Sequence, residues 1–176
     1  VSSIIHLEYP RKDKKGVVKV SWYDGGLLPK RPDELKPEEE FGNWDGGVLF
    51  IGTKGKLLAD CYGANPRLLP LSKNESAKAV KQTIARVPDE DHYLQWVNAC
   101  FAGYGKGVTS SPFEYAGPFT ESILMGNLAI RSALYTDPSV SGWGKNKFTG
   151  RKKLLWDAKN MKITNFDAFA RYESQN

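Results

Sequence analysis

The segment Tyr-Ala-Gly-Pro-Phe-Thr-Glu-Ser-Ile-Leu-Met-Gly-Asn-Leu-Ala-Ile-Arg, residues 115–131, constrains the fold more than any other stretch of the chain. It has the length and composition of a helix, with Gly117 and Pro118 placed to open it, since proline at a first helical turn sacrifices no hydrogen bond. Ile123, Leu124, Met125, Leu128, Ala129 and Ile130 spread round nearly its whole circumference, where a surface helix keeps one polar face. The expectation is a helix covered on almost every side: by a sheet, by a second helix, and by something outside this chain. Gly126, Ala129 and Ala133 would permit a close approach.

The rest of the chain supplies strands. Residues 3–9 and 16–23 alternate, with Val18, Val20 and Trp22 on one face and Val17, Lys19, Ser21 and Tyr23 on the other. One greasy and one mixed face fit an antiparallel sheet with helices on one side. After Asp24-Gly25-Gly26, Pro29, Pro32 and Pro37 hold residues 27–45 in an irregular excursion of the kind that forms interfaces, with Phe41 and Trp44 as an arm. Residues 47–63 read as a hairpin. Their Gly-Thr-Lys-Gly-Lys lacks the spacing of either phosphate-binding glycine loop. Residues 82–87 read as extended, and Asp89-Glu90-Asp91 supply the N-terminal negative charge of a helix over 89–102. Residues 152–156 and 161–163 form a last hairpin. The resulting class is α+β in two layers: an open, largely antiparallel sheet with helices packed on one face.

Composition places the chain among ordinary globular proteins, with 40% hydrophobic and 26% charged residues, and no apolar run reaches the ~20 residues of a bilayer span. The net charge of +5 is concentrated in 11–15, 145–147 and 151–153. The first of these clusters falls between strands as a solvated turn, and none interleaves aromatics, which makes nucleic-acid binding the weakest functional class. Cys61 and Cys100 have no metal-type spacing and read as free, half-buried thiols.

No self-contained catalytic constellation is visible. His6 and His92 are far apart, and HExxH, CxxC and GxSxG are missing, so neither a metal site nor a catalytic residue is assigned. Lys19, Tyr23, Asp24, Tyr62, Arg67, Arg86 and His92 gather polar and aromatic groups on the open face and its edges. As a set they suit a polyol, because rings stack on C–H faces while charged groups pair with hydroxyls.

Four stretches in order, "VKVSWYDGGLLPKRPDEL", "GGVLFIGTKGKLLADCYGANPRLLP", "HYLQWVNACFAG" and "FEYAGPFTESILMGNLAIRS", resemble the C-terminal domain of bacterial Gfo/Idh/MocA oxidoreductases, in the branch common in Bacteroides-like and planctomycete genomes. The resemblance runs over nearly the whole chain. It implies that residues 1–176 are a single substrate-binding and oligomerisation domain of a longer chain, whose N-terminal Rossmann domain holds NAD or NADP and lies outside this sequence. The abrupt opening, Val1-Ser2-Ser3 followed directly by a strand, agrees with that expectation. The implied substrate is a sugar or sugar derivative, the implied assembly a homo-oligomer, and the implied compartment cytoplasmic or periplasmic. The family's catalytic lysine belongs to a Glu-Lys-Pro motif, which Leu35-Lys36-Pro37 does not reproduce, and its catalytic histidine lies upstream of Val1. This segment alone is therefore expected to bind no cofactor and to be inert. Two other readings stand beside it: a stand-alone carbohydrate- or protein-binding module, and a parent that uses NAD-dependent hydride chemistry to cleave glycosides.

Overall fold

The computed structural model describes residues 2–87, 91–143 and 147–167. The described residues are mixed α/β, with small antiparallel sheets and three α-helices. The chain divides into two compact units, residues 1–28 with 96–176 and residues 29–95.

In the first unit β1 (Ser3–Pro10) and β2 (Val17–Asp24) form an antiparallel hairpin in the expected positions. The basic cluster between them is its turn: Arg11 N donates to Gly16 O at 3.1 Å, and the Arg11 guanidinium pairs with Asp13. Directly paired residues share a face. The register Ile5↔Trp22, Leu7↔Val20, Tyr9↔Val18 therefore sets the apolar strip of β2 beside that of β1, and Lys19, Ser21 and Tyr23 beside Glu8, His6 and Ile4. The long helix α3 (Phe113–Ala133) packs on the apolar side of β1, where a Cβ added to Gly126 would lie 3.3 Å from Ile5 Cδ1.

Two features of that helix correct the sequence expectation. It starts at Phe113 after Pro112 and runs through Pro118 instead of opening there. Of its residues only Gly126 and Ser132 are buried, while Ile123, Leu124 and Ile130 stand exposed. Periodicity measures how much apolar surface a helix offers, not how much its own chain covers. The expected neighbour, α2 (His92–Ala102), has no buried residue. Asp91 caps it by accepting the Leu94 N–H at 2.8 Å, as its acidic N-terminus implies; Asp89 and Glu90 lie outside the described residues. The last hairpin is shorter than expected, with β6 (Trp156–Asp157) paired to β7 (Lys162–Ile163).

In the second unit β3 (Gly47–Gly52), β4 (Gly55–Asp60) and β5 (Arg67–Leu69) form an antiparallel sheet in that order. The hairpin at 47–63 was legible; β5 was not, since three residues carry too little alternation to register. A short α1 (Asn74–Ala77) follows, and Asn74 Oδ1 accepts the Leu68 N–H at 2.7 Å. Residues 82–87 form no strand.

The proline-rich excursion is folded onto this sheet. Leu35, Leu58 and Leu69 form its buried core, with Phe41, Leu49 and Leu71 packed against them. The Arg31 guanidinium donates to the carbonyls of Leu35, Lys36 and Glu39, and Lys56 pairs with Glu34 at 2.6 Å. Phe41 thus packs, half-buried, against the core and is not part of an arm. Trp44 alone projects, 93% exposed, at the tip of a tight turn in which Asn43 and Gly46 exchange backbone hydrogen bonds. Gly42 makes that turn possible: its φ is +82°, and a Cβ there would lie 2.8 Å from Gly46 O.

Among the described residues, the single open sheet expected from sequence is replaced by three separate sheets of two, three and two strands. Among the described residues, no helix is long and apolar enough to cross a membrane.

Candidate functional site

The sequence candidates divide between the two units. Lys19, Tyr23 and Asp24 belong to β2 in the first; Tyr62, Arg67, Arg86 and His92 belong to the second. Each set is held differently.

On the hairpin, Lys19 and Tyr23 lie on the face turned away from α3, with Ser21 between them on β2 and His6 opposite it on β1. His6 Nδ1 and Ser21 Oγ are 2.9 Å apart. Glu8, directly opposite Lys19, pairs with Lys153; hydrogen bonding to that ammonium holds its carboxyl below the ordinary value, with a smaller contribution from Lys19. The face is thus a patch of alternating charge with an aromatic ring at one end. Asp24 terminates the strand, its carboxylate accepting the Gly25 N–H at 2.7 Å.

Arg67 in the second unit is committed to structure. Its Nη1 donates to Asp60 Oδ1 at 2.9 Å and to Asn65 O at 2.9 Å, and its Nη2 to Glu40 O at 3.3 Å. Asp60 is 4% exposed and also accepts from Asn65 Nδ2 at 2.9 Å. The Asn65 bond first, then the Arg67 bond, keeps its carboxyl below the ordinary aspartate value against the cost of burial. The pair ties the end of β4 to β5 and to the excursion. Tyr62, fully exposed, occupies a positive-φ position beside it. Arg86 sits on an exposed irregular segment, and His92 opens α2 with its ring against Tyr93 at 4.1 Å.

The structure adds a cleft that sequence reasoning did not find. It lies in the first unit, with a volume of about 1000 Å³, between residues 6–10 of β1, one side of α3, and residues 150–156. Leu7, Met125, Leu128, Leu154 and Trp156 give it apolar walls. The Trp156 indole N–H donates to Glu121 Oε1 at 2.5 Å, so one carboxylate is fixed among those walls. The helical spacing of Glu121, Met125 and Leu128 was readable, but nothing local indicates that residues 150–156 return beside them. Among the described residues, no group of three or more His, Cys, Asp or Glu side chains is placed to hold a metal ion.

No family model matches the sequence, and no curated protein matches it.

Proposed function

We propose that this chain is the substrate-binding and oligomerisation domain of an NAD(P)-dependent oxidoreductase acting on a sugar or sugar derivative. On this reading the nicotinamide cofactor is held by a Rossmann domain of the same parent chain. The likeness of four ordered motifs to the Gfo/Idh/MocA C-terminal domain supports the family.

One structural observation carries the assembly part. Val18, Val20 and Trp22 share the face on which α3 packs, yet they are 52%, 40% and 59% exposed. A strip of β-branched and aromatic side chains on the core side of a strand, left open, is the signature of a surface made to be covered by another body. The opposite face supplies what a polyol needs: a phenol ring at Tyr23, an ammonium at Lys19, and the imidazole–hydroxyl pair of His6 and Ser21.

Calorimetric titration of the chain tests the reading. Hexoses, pentoses and inositols are the ligands expected to bind, weakly and saturably, with Lys19→Ala and Tyr23→Ala both reducing the affinity. NAD(H) and NADP(H) are expected to give no heat. Micromolar nucleotide binding, or sugar binding indifferent to both substitutions, overturns it. A GxGxxG βαβ unit encoded directly upstream of Val1 would support the enzyme over a stand-alone binding module.

A further inference from the structure

The cleft between β1, α3 and residues 150–156 shares His6 with the proposed sugar face but not Lys19, Ser21 or Tyr23, and one of its carboxylates, Glu121, has a neutral partner. Three cations border it, and each is engaged. Lys153 pairs with Glu8. Lys152 donates to Asn165 O at 2.7 Å and lies 4.7 Å from the centre of the Phe166 ring. Arg151 donates to Ala133 O at 3.3 Å and lies 3.6 Å from the centre of the Phe148 ring. The half-buried Glu121 carboxylate receives only the neutral indole N–H of Trp156; among the described residues, no lysine, arginine or histidine forms an ion pair with it. An anion held against apolar walls without a counter-charge is the complement of a cation. The Trp156 ring beside it adds an aromatic wall, to which an ammonium is attracted.

We infer that this cleft binds a small amphipathic organic cation, a primary amine on an aryl or alkyl body. The ammonium group meets the Glu121 carboxylate, and the apolar body lies against Leu7, Met125, Leu128 and the Trp156 ring. The volume of about 1000 Å³ is at the upper end of the range for drug-sized ligands. Recognition by one charged hydrogen bond in an apolar cavity predicts a specific preference: a protonated amine over a neutral alcohol of the same shape.

The chain has five tryptophans, so an ¹⁵N spectrum of the indole N–H groups reads the site directly, with Trp156→Phe assigning its resonance. Titration at pH 7 with 2-phenylethylamine should move the Trp156 resonance saturably and leave that of the solvent-exposed Trp44 in place. The isosteric 2-phenylethanol should need a concentration about ten-fold higher, the value of one hydrogen bond to a charged group. Glu121→Gln keeps an acceptor for the indole but loses the charge, and should reduce the amine to the level of the alcohol. A Trp156 resonance unmoved by millimolar amine, equal affinity for amine and alcohol, or a preference that survives Glu121→Gln overturns the inference. If Glu121→Gln does not fold, the amine–alcohol comparison on the unaltered chain decides alone.

Discussion

The two units of this chain solve the same problem, covering a small antiparallel sheet, in opposite ways. The three-stranded sheet of residues 29–95 is closed by local chain: the proline-rich excursion supplies Leu35 and Phe41, and side chains on the excursion and sheet satisfy one another's charges. The β1–β2 hairpin has a 21-residue helix across it, yet that helix protects β1 and leaves the apolar strip of β2 open. The first sheet is finished by its own sequence. The second keeps the apolar side chains of β2 in register but, among the described residues, open. Stability should therefore be concentrated in one unit, and association in the other.

The largest effect should come from the closed unit. Leu58 is 1% exposed at the centre of its core, and Leu58→Ala removes the side chain that Leu35 and Leu69 both surround. A loss of about 3 kcal/mol is expected by urea unfolding, from lost burial plus a cavity that flanking strands cannot collapse. A loss below about 1 kcal/mol, within the range of surface substitutions, would show that this cluster is not the anchor of its unit and would break the comparison.

Gly150 is a locked point in the open unit, and it sharpens the contrast. A Cβ on Gly150 would stand 1.8 Å from the Ser132 carbonyl oxygen and 2.7 Å from its carbon, so backbone would have to move. Gly150→Ala is expected to cost roughly 1–3 kcal/mol by the same measurement. Gly126→Ala, whose Cβ would meet only the flexible end of Ile5 at 3.3 Å, should be close to neutral. Equal costs at the two positions would mean that residues 150–156 do not lie where the cleft requires.

Acid should reach the closed unit through Asp60. Its folded-state carboxyl is held below the ordinary aspartate value by Asn65 and Arg67, so on acidification the unfolded chain takes up the proton first. The stabilisation is present above about pH 4 and is lost as pH falls through the lower, folded-state value. Urea midpoints between pH 6 and pH 3 should fall for the natural chain, and Asp60→Asn should flatten part of that fall at the cost of lower stability near neutrality. An identical pH slope in the variant would remove Asp60 from the account.

How much of this was legible depended on range. Alternation in 3–9 and 16–23 located the first hairpin and correctly sorted Val18, Val20 and Trp22 from Lys19 and Tyr23, because facing is a property of one strand. Asp91 announced the helix it caps. Burial was not legible, because it belongs to pairs of elements: the all-round apolar α3 promised cover on every side, yet among the described residues β1 and residues 150–156 border one side while Ile123, Leu124 and Ile130 stay exposed. Arg67 illustrates the same limit at the level of a site. As a residue type it suits a hydroxyl or a phosphate, but its partner Asp60, seven positions earlier, becomes its neighbour only because β4 and β5 pair.

The smallest effect on stability, and the most informative one on function, belongs to Trp22. Its indole is 59% exposed on the apolar face of β2, opposite Ile5, so within its own unit it contributes little. Trp22→Ala should change urea stability by no more than about 1 kcal/mol. If the strip is an assembly surface, the same indole is the kind of residue on which an interface concentrates its energy: large, rigid and central, worth about 2 kcal/mol or more when truncated. Light scattering at micromolar concentration should then find a dimer or higher oligomer for the natural chain, and an association about thirty-fold weaker for the variant. A monomeric natural chain breaks the assembly reading. An oligomer indifferent to Trp22→Ala moves the interface off β2, with exposed Trp44 on the other unit as the next position to truncate. A large loss of stability instead would mean that the strip is covered from within, and that both units close themselves after all.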